Sequence, residues 1–223
     1  LKFGIRTLPP PDGSFVAQAL AQLARHPQTS VIVAGSTMDG EEMLLLDSYL
    51  ALREYFTPLW LILAPRHPER FDQVATEITL ARVPLLRRSQ WSPGQPVHTD
   101  GVLLLDTIGE LTFAYRLANI AFVGGTLAPR GGHNILEPAA LGKPVVIGLS
   151  MENFREIAGH FLRGATALPL QPPAAAQAAA AVQLSDAGSL TPALYHLLRQ
   201  PEQARHIDRK STRLNSSHVA LSR

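Results

Sequence analysis

The sequence predicts an α/β fold in which a doubly wound, open parallel sheet is sandwiched between helices. Apolar segments alternate with helical periodicities along most of the chain, in the repeated order strand, helix, strand. The strand candidates are continuously apolar, not alternating, as expected of strands buried on both faces. With 223 residues, 46% of them hydrophobic and 17% charged, the chain has enough apolar material for such a core.

The elements follow in order. "LKFGIRTLPPPDG" (1–13) reads as a connecting strand and a Pro-rich linker. In "SFVAQALAQLARH" (14–26), Phe15, Ala19, Leu20 and Leu23 recur at helical spacing behind Ser14, a suitable N-cap. "SVIVAGS" (30–36) is a β-branched strand ending in a turn. "GEEMLLLDSYLALREYF" (40–56) carries Leu45, Tyr49, Leu52 and Phe56 on one helical stripe, with Glu41 and Glu42 at the end that favours acids. The acidic run "MDGEE" (38–42) is accounted for as a solvated helix start.

"LWLILAP" (59–65) predicts a second strand, and "PERFDQVATEITLA" (68–81) a helix facing inward through Phe71, Val74, Ala75 and Ile78. "VPLLRRS" (83–89) and "GVLLLDT" (101–107) are strands, "GELTFAYRLAN" (109–119) a helix and "IAFVGG" (120–125) a strand. A short helix in "ILEPAALG" (135–142), a strand in "KPVVIG" (143–148) and a helix in "NFREIAGHFLRG" (153–164) complete the alternation, the last with Gly164 as C-cap. The low-complexity "QPPAAAQAAAAVQ" (171–183) is expected to be helical after its prolines. A final helix starts in "TPALYHLLRQPEQARHI", capped by Thr191 with Pro192 in its first turn.

Composition excludes several functions. There is no Cys, hence no disulfide, thiolate nucleophile or Cys-based zinc site. No apolar run reaches the ~18–20 residues that span a bilayer, and no signal peptide opens the sequence. The pI of about 9.2 suggests nucleic acid, but Arg209, Lys210, Arg213 and Arg223 lie in residues 209–223, where no acid balances them. Without that segment the formal charge changes from +2 to −2, so no nucleic-acid partner is expected. The Ser/Asn-rich stretch "KSTRLNSSHVALSR" lacks periodicity and is read as a non-native or disordered tail.

In an open parallel sheet, ligands bind beyond the carboxyl ends of the strands. Four polar segments fall there: Gly35-Ser36-Thr37, Pro65-Arg66-His67, Asp106 to Glu110, and the loop "VGGTLAPRGGHNILEPAALGKP" (123–144). Gly124, Gly125, Gly131 and Gly132 are expected to keep side chains away from a phosphate or sugar. Asn134 and Glu137 are three apart at a helix start. Glu137 is suited to accept ribose hydroxyls on its two carboxylate oxygens; equally, the pair fits a capping box, and the two readings stand side by side. Arg66 offers a forked donor to a phosphate, against the alternative of a surface Arg paired with an acid. Gly109-Glu110 either presents amides to a phosphate or merely sets Glu110 against a helix dipole. His133 is placed to donate to a phosphate, to act as an acid, or to bond structurally. G-x-G-x-x-G after the first strand, G-x-x-x-x-G-K-[ST], Asp-x-Asp and His-x-x-x-His are absent, so neither a metal nor a cofactor is expected.

Taken together, "VIVAGSTMDGEE", "LILAPRHPERFDQV", "LLLDTIGEL", "FVGGTLAPRGGHNILEPAALGKPVVIG" and "NFREI" resemble the donor-binding half of bacterial 3-deoxy-D-manno-octulosonic acid (Kdo) transferases, in the family's order over roughly residues 1–205. "APRHPERF" and "GGHN-x-LEPAALGKP" are specific to that pattern. The resemblance implies the C-terminal Rossmann-like domain of a GT-B fold and transfer of Kdo from CMP-Kdo to a lipid A precursor at the cytoplasmic face of the inner membrane. It further implies that Pro65, Arg66, Ile108, Gly109, Glu110, Asn134, Ile135, Leu136 and Glu137 contact the CMP part of the donor. The family's acceptor domain, its Glu general base and its membrane-anchoring helix have no counterpart in this sequence. The expectation is an interdomain strand and linker over 1–13, a donor domain over 14–208, and no catalytic base of its own. Other GT-B enzymes using UDP-sugars, such as a transferase or a 2-epimerase, and a non-catalytic nucleotide-binding module remain as alternatives.

Overall fold

The computed structural model describes residues 8–162 and 181–199. Seven strands, β1 (Ser30–Thr37), β2 (Leu59–Pro65), β3 (Leu85–Arg87), β4 (Gly101–Leu104), β5 (Ile120–Val123), β6 (Val145–Ile147) and β7 (Ala181–Gln183), form one sheet in the order β3-β4-β2-β1-β5-β6-β7. Every pairing is parallel. The sequence therefore predicted the class and doubly wound architecture correctly.

The apolar strands are apolar because both faces are covered. Ile32, Ala34, Leu59, Leu61 and Leu63 point into a core closed by helices α2 (Glu41–Leu52), α3 (Phe71–Leu80) and α7 (Leu190–Arg199). Their neighbours Val31, Val33, Trp60, Ile62 and Ala64 point the other way, towards α1 (Phe15–Arg25) and the short α4 (Leu111–Ala114). That is the period-2 pleat with both registers hydrophobic. A third cluster packs α5 (Leu136–Ala140) and α6 (Arg155–Leu162) on β5, β6 and β7. Burying one such Leu, Ile or Val stabilises the fold by roughly 1.5–3 kcal/mol.

Local signals explain most boundaries. Ser14 caps α1, its hydroxyl accepting from the Ala17 amide at 3.3 Å. The helix expected over 109–119 is shorter. It divides into α4 and a 3₁₀ turn over Tyr115–Leu117, because Tyr115 must tuck under the end of β1, where Gly35 leaves room for its ring.

Two expectations are corrected. Residues 181–183, placed in a helical low-complexity stretch, instead form β7 and extend the sheet beside β6; Ala181 is fully buried there, so pairing and burial override Ala's helix propensity. Thr191 does not cap α7. Asp186 accepts from the Ser189 amide at 2.9 Å to start a 3₁₀ turn that leads into the helix, and the Thr191 hydroxyl instead bonds Ser48 of α2 at 2.8 Å. The connecting strand within 1–7, the Gly164 cap, residues 171–180 of the low-complexity run and the tail over 209–223 lie outside the described residues.

Candidate functional site

Chain order reverses about β1: β2 lies on one side and β5 on the other. The segments leaving β1 and β5 therefore diverge and open a crevice at the carboxyl edge of the sheet, the switch point where ligands of such folds bind. The polar segments after β1, β2, β4, β5 and β6 all reach this edge.

The segment after β5 is the most heavily tied. Thr126 donates its hydroxyl to the Val123 carbonyl at 2.7 Å and accepts from the Gly148 amide at 2.8 Å, joining the ends of β5 and β6. Gly132 donates its amide to the Gly125 carbonyl at 2.9 Å, folding the loop back on itself. Gly131 donates to Ser150 Oγ at 2.8 Å, and its carbonyl accepts from the Asn153 amide at 3.0 Å.

Glu41 lies beneath this loop. The run 38–42 is not a solvated helix start, because Glu41 and Glu42 are 1% and 2% exposed. Glu41 accepts from the amides of Gly125 at 2.8 Å, Thr126 at 3.0 Å and Leu127 at 2.9 Å, and from Met38 at 2.9 Å. Glu42 accepts from Thr37 Oγ1 at 2.8 Å and from Arg70 Nη1 at 2.8 Å. The sequence reading missed both roles. The signal available was two acids at one helix start, which by itself points only to the dipole; the loop amides that Glu41 meets are 84 to 86 residues away and the Arg70 that Glu42 meets is 28 away.

The glycines have a different reason from the expected one. A Cβ on Gly124 would strike the backbone of Ser36 and Thr37; one on Gly131 would strike the Asn153 side chain; one on Gly132 would lie 2.6 Å from Met151 Sδ. Gly125, at φ +69°, would set it 2.9 Å from the His133 ring. These glycines let the protein's own segments pack closely. Gly109 differs: at φ +87° it has nothing within 4 Å of a Cβ and stands beside Ile108, which is 84% exposed.

The residues expected to meet the nucleotide fall into distinct environments. Pro65 ends β2 and is buried; Arg66 is exposed, its amide donating to the Thr37 carbonyl at 2.9 Å. Among the described residues its guanidinium forms no hydrogen bond or ion pair, so it is not the paired surface Arg of the alternative. Arg70 takes the acids instead, reaching Glu42 and, at 2.9 Å, Asp39. Glu110 is held from both sides, by Arg88 Nη2 at 2.7 Å and by Thr107 Oγ1 at 2.6 Å. Arg88 lies over the rings of Phe15 and Trp91, at 5.3 and 5.2 Å from their centroids.

Asn134 and Glu137 do not form a reciprocal capping box. Asn134 Oδ1 accepts from the Leu136 amide at 3.0 Å, while its Nδ2 donates to Glu137 Oε1 at 3.3 Å. Glu137 Oε2 accepts from Thr112 Oγ1 at 2.8 Å, joining the loop after β5 to α4. Glu137 is thus oriented by two neutral donors, with lone pairs on both oxygens still uncommitted. Ile135 and Leu136 are 0% and 6% exposed, so their side chains belong to the core and only backbone is on offer there.

Titration adds detail. Burial lowers the His133 imidazole below its ordinary 6.5, helped by the nearby charges of Arg66 and His67, and its buried Nε2 has no hydrogen-bond partner. Burial alone would raise the Asp106 carboxyl, but hydrogen bonds from the Ser89 hydroxyl and amide and from Arg87 outweigh it and hold the group below the usual carboxylate range. Among the described residues no cluster of His, Asp or Glu has the makings of a metal site, and no helix is long and apolar enough to cross a membrane.

No family model matches the sequence. The chain is 43% identical over 125 residues to the 3-deoxy-D-manno-octulosonic acid transferase of Haemophilus influenzae, a match covering 56% of this chain and 29% of that protein. It is 40% identical over 141 residues to the enzyme of the same name from Bordetella pertussis, covering 62% of this chain and 33% of that protein. The chain thus spans about a third of the length of these curated relatives. Among solved structures, the C-terminal CMP-Kdo binding domain of WaaA from Acinetobacter baumannii superposes with a TM-score of 0.75 at 31% identity, covering 94% of this chain and 98% of that domain. The seven-stranded parallel sheet is accordingly that of a GT-B C-terminal domain.

Proposed function

The chain belongs to the family of 3-deoxy-D-manno-octulosonic acid transferases, as their C-terminal, donor-side domain, and from that membership we propose that it holds CMP-Kdo at the carboxyl edge of its sheet. In the whole enzyme the sugar passes to a lipid A precursor at the cytoplasmic face of the inner membrane. The observation that carries the donor reading is Arg66. It is a forked cation at the switch-point edge with no hydrogen-bond or ion-pair partner for its guanidinium among the described residues, whereas Arg70, Arg87 and Arg88 are each paired with an acid.

The chemistry fits that placement. Cleaving the bond from Kdo to CMP leaves a second negative charge on the phosphate, and a guanidinium beside it stabilises that charge in the transition state. The exposed backbone of Ile108-Gly109 and the amides near Asn134 lie on the same edge, with Pro65 and Glu110 flanking. Glu137, already oriented by Thr112 and Asn134, is available to the ribose hydroxyls. Deprotonation of the acceptor hydroxyl falls to a base outside the described residues.

Titration calorimetry on this chain tests the reading, with CMP and UDP compared. CMP should bind more tightly than UDP, and Arg66→Ala should weaken CMP about 10- to 100-fold, the loss of one or two charge-assisted bonds. Glu137→Ala should weaken it by a similar factor. Preference for UDP would contradict the CMP-sugar assignment; unchanged CMP affinity in both variants would remove these residues from the site.

A further inference from the structure

The first turn of α2 touches both sides of the crevice through two neighbouring acids. Acids at a helix start ordinarily stay in water, where the helix dipole favours them modestly. Glu41 and Glu42 are instead almost wholly buried, and removing a carboxylate from water is costly unless donors surround it. Here they do.

The two acids serve different loops. Glu41 collects three consecutive amides, Gly125 to Leu127, and the Gly125 carbonyl in turn accepts from Gly132, so the whole turn leading to Asn134 is referenced to one carboxylate. Glu42 holds the Thr37 hydroxyl and both terminal nitrogens of Arg70, at 2.8 and 3.2 Å. Arg70 closes the segment that carries Arg66, whose own amide is tied to the carbonyl of Thr37.

We propose that Glu41 and Glu42 are positioning residues of the nucleotide site, one setting the loop after β5 and the other the loop after β2. A single helical turn thereby fixes the spacing between Arg66 and the Asn134–Glu137 segment. The inference rests on the donor reading above for the identity of what is bound.

The test uses the 223-residue chain, CMP calorimetry and amide hydrogen exchange, with Ser48→Ala as a reference. Ser48 is a buried hydroxyl of the same helix that bonds Thr191 and Leu44 and touches none of these loops. Glu41→Gln keeps the volume but turns an NH₂ towards amides that can only donate. At a temperature where each variant is folded by circular dichroism, Glu41→Gln should bind CMP at least 10-fold more weakly. Exchange at Gly125, Thr126 and Leu127 should accelerate at least 10-fold beyond that in Ser48→Ala, which keeps wild-type CMP affinity.

Glu42→Gln gives an independent check. Its loss of affinity should vanish in an Arg66→Ala background, because it acts through Arg66, whereas the loss from Glu41→Gln should persist there. Wild-type affinity in a folded Glu41→Gln, or exchange no faster than in Ser48→Ala, overturns the role of Glu41; a Glu42→Gln effect that is absent, or that persists without Arg66, overturns that of Glu42. A wild-type chain that binds no CMP sinks the donor reading, and the exchange comparison still decides whether Glu41 sets the loop.

Discussion

Arg66 and Arg70 are four residues apart on one loop and face opposite demands. Arg70 is folded onto Glu42 and Asp39, and burial of its partner makes that pair structural. Arg66 is left in solvent beside His133. The burial of His133 has a consequence for pH. Burial first, then Arg66 and His67, keep the folded imidazole neutral below its ordinary 6.5. As pH falls through about 6.5 the unfolded chain takes up a proton at this position and the folded chain does not, so stability declines until the folded imidazole also protonates. His133→Gln should remove that part of the decline between pH 7.5 and 5.5, read as the change in urea midpoint. An unchanged pH slope would show that His133 does not titrate differently on folding. Asp106 acts with the same sign in a lower window: its bonds to Ser89 and Arg87 contribute fully above about 3.8 and are lost as pH falls through its depressed folded value.

The loop after β5 shows what can and cannot be read from a stretch of sequence. Its glycines, the strand before it and the helix after it were legible locally, as were the Ser14 cap of α1 and the apolar patterns of α1, β1, β2 and α3. What the glycines avoid was not, because a missing side chain does not say whose atoms exclude it. Gly124 meets the backbone of Ser36 and Thr37, nearly ninety positions earlier in the chain. Glu41 was misread for the same reason: its donors come from another crossover. β7 was misread because it ends an alanine-rich run with helix propensity, and only the edge of β6 makes Ala181–Gln183 a strand. The glycines then differ in a testable way. Gly124→Ala drives a methyl into backbone that cannot rotate aside and should destabilise by about 1–3 kcal/mol, lowering Tm by roughly 2–4 °C for each kcal/mol. Gly109→Ala meets no atom and bears only the left-handed backbone cost, about 1–2 kcal/mol. Gly109→Ala should therefore alter CMP affinity while costing less Tm than Gly124→Ala; the reverse order in calorimetric Tm would show that the loop yields and the exposed turn does not.

At the scale of the whole molecule, the sheet gathers an edge whose named acids already accept hydrogen bonds from the protein. Glu41 and Glu42 hold loops, Asp106 holds Ser89 and Arg87, Glu110 holds Arg88 and Thr107, and Glu137 is oriented by Thr112 and Asn134. Glu152, exposed at the same edge, accepts from Ser150, and that bond lowers its carboxyl below the usual range, making it a poor base. A general base needs both reach to the acceptor hydroxyl and affinity for its proton. In the donor site proposed above, these residues would receive a phosphate and a ribose, and none of the acids named here is assigned the role of base. The 223-residue chain should therefore bind CMP-Kdo yet transfer no Kdo to a lipid A precursor, while the same chain carrying Arg66→Ala loses the binding as well. The measurement is product formation under single-turnover conditions, with the chain in excess over CMP-Kdo and saturating acceptor. Transfer by the chain alone would mean that one of these committed carboxylates releases its partners during the reaction, and Glu137 would be the first to replace.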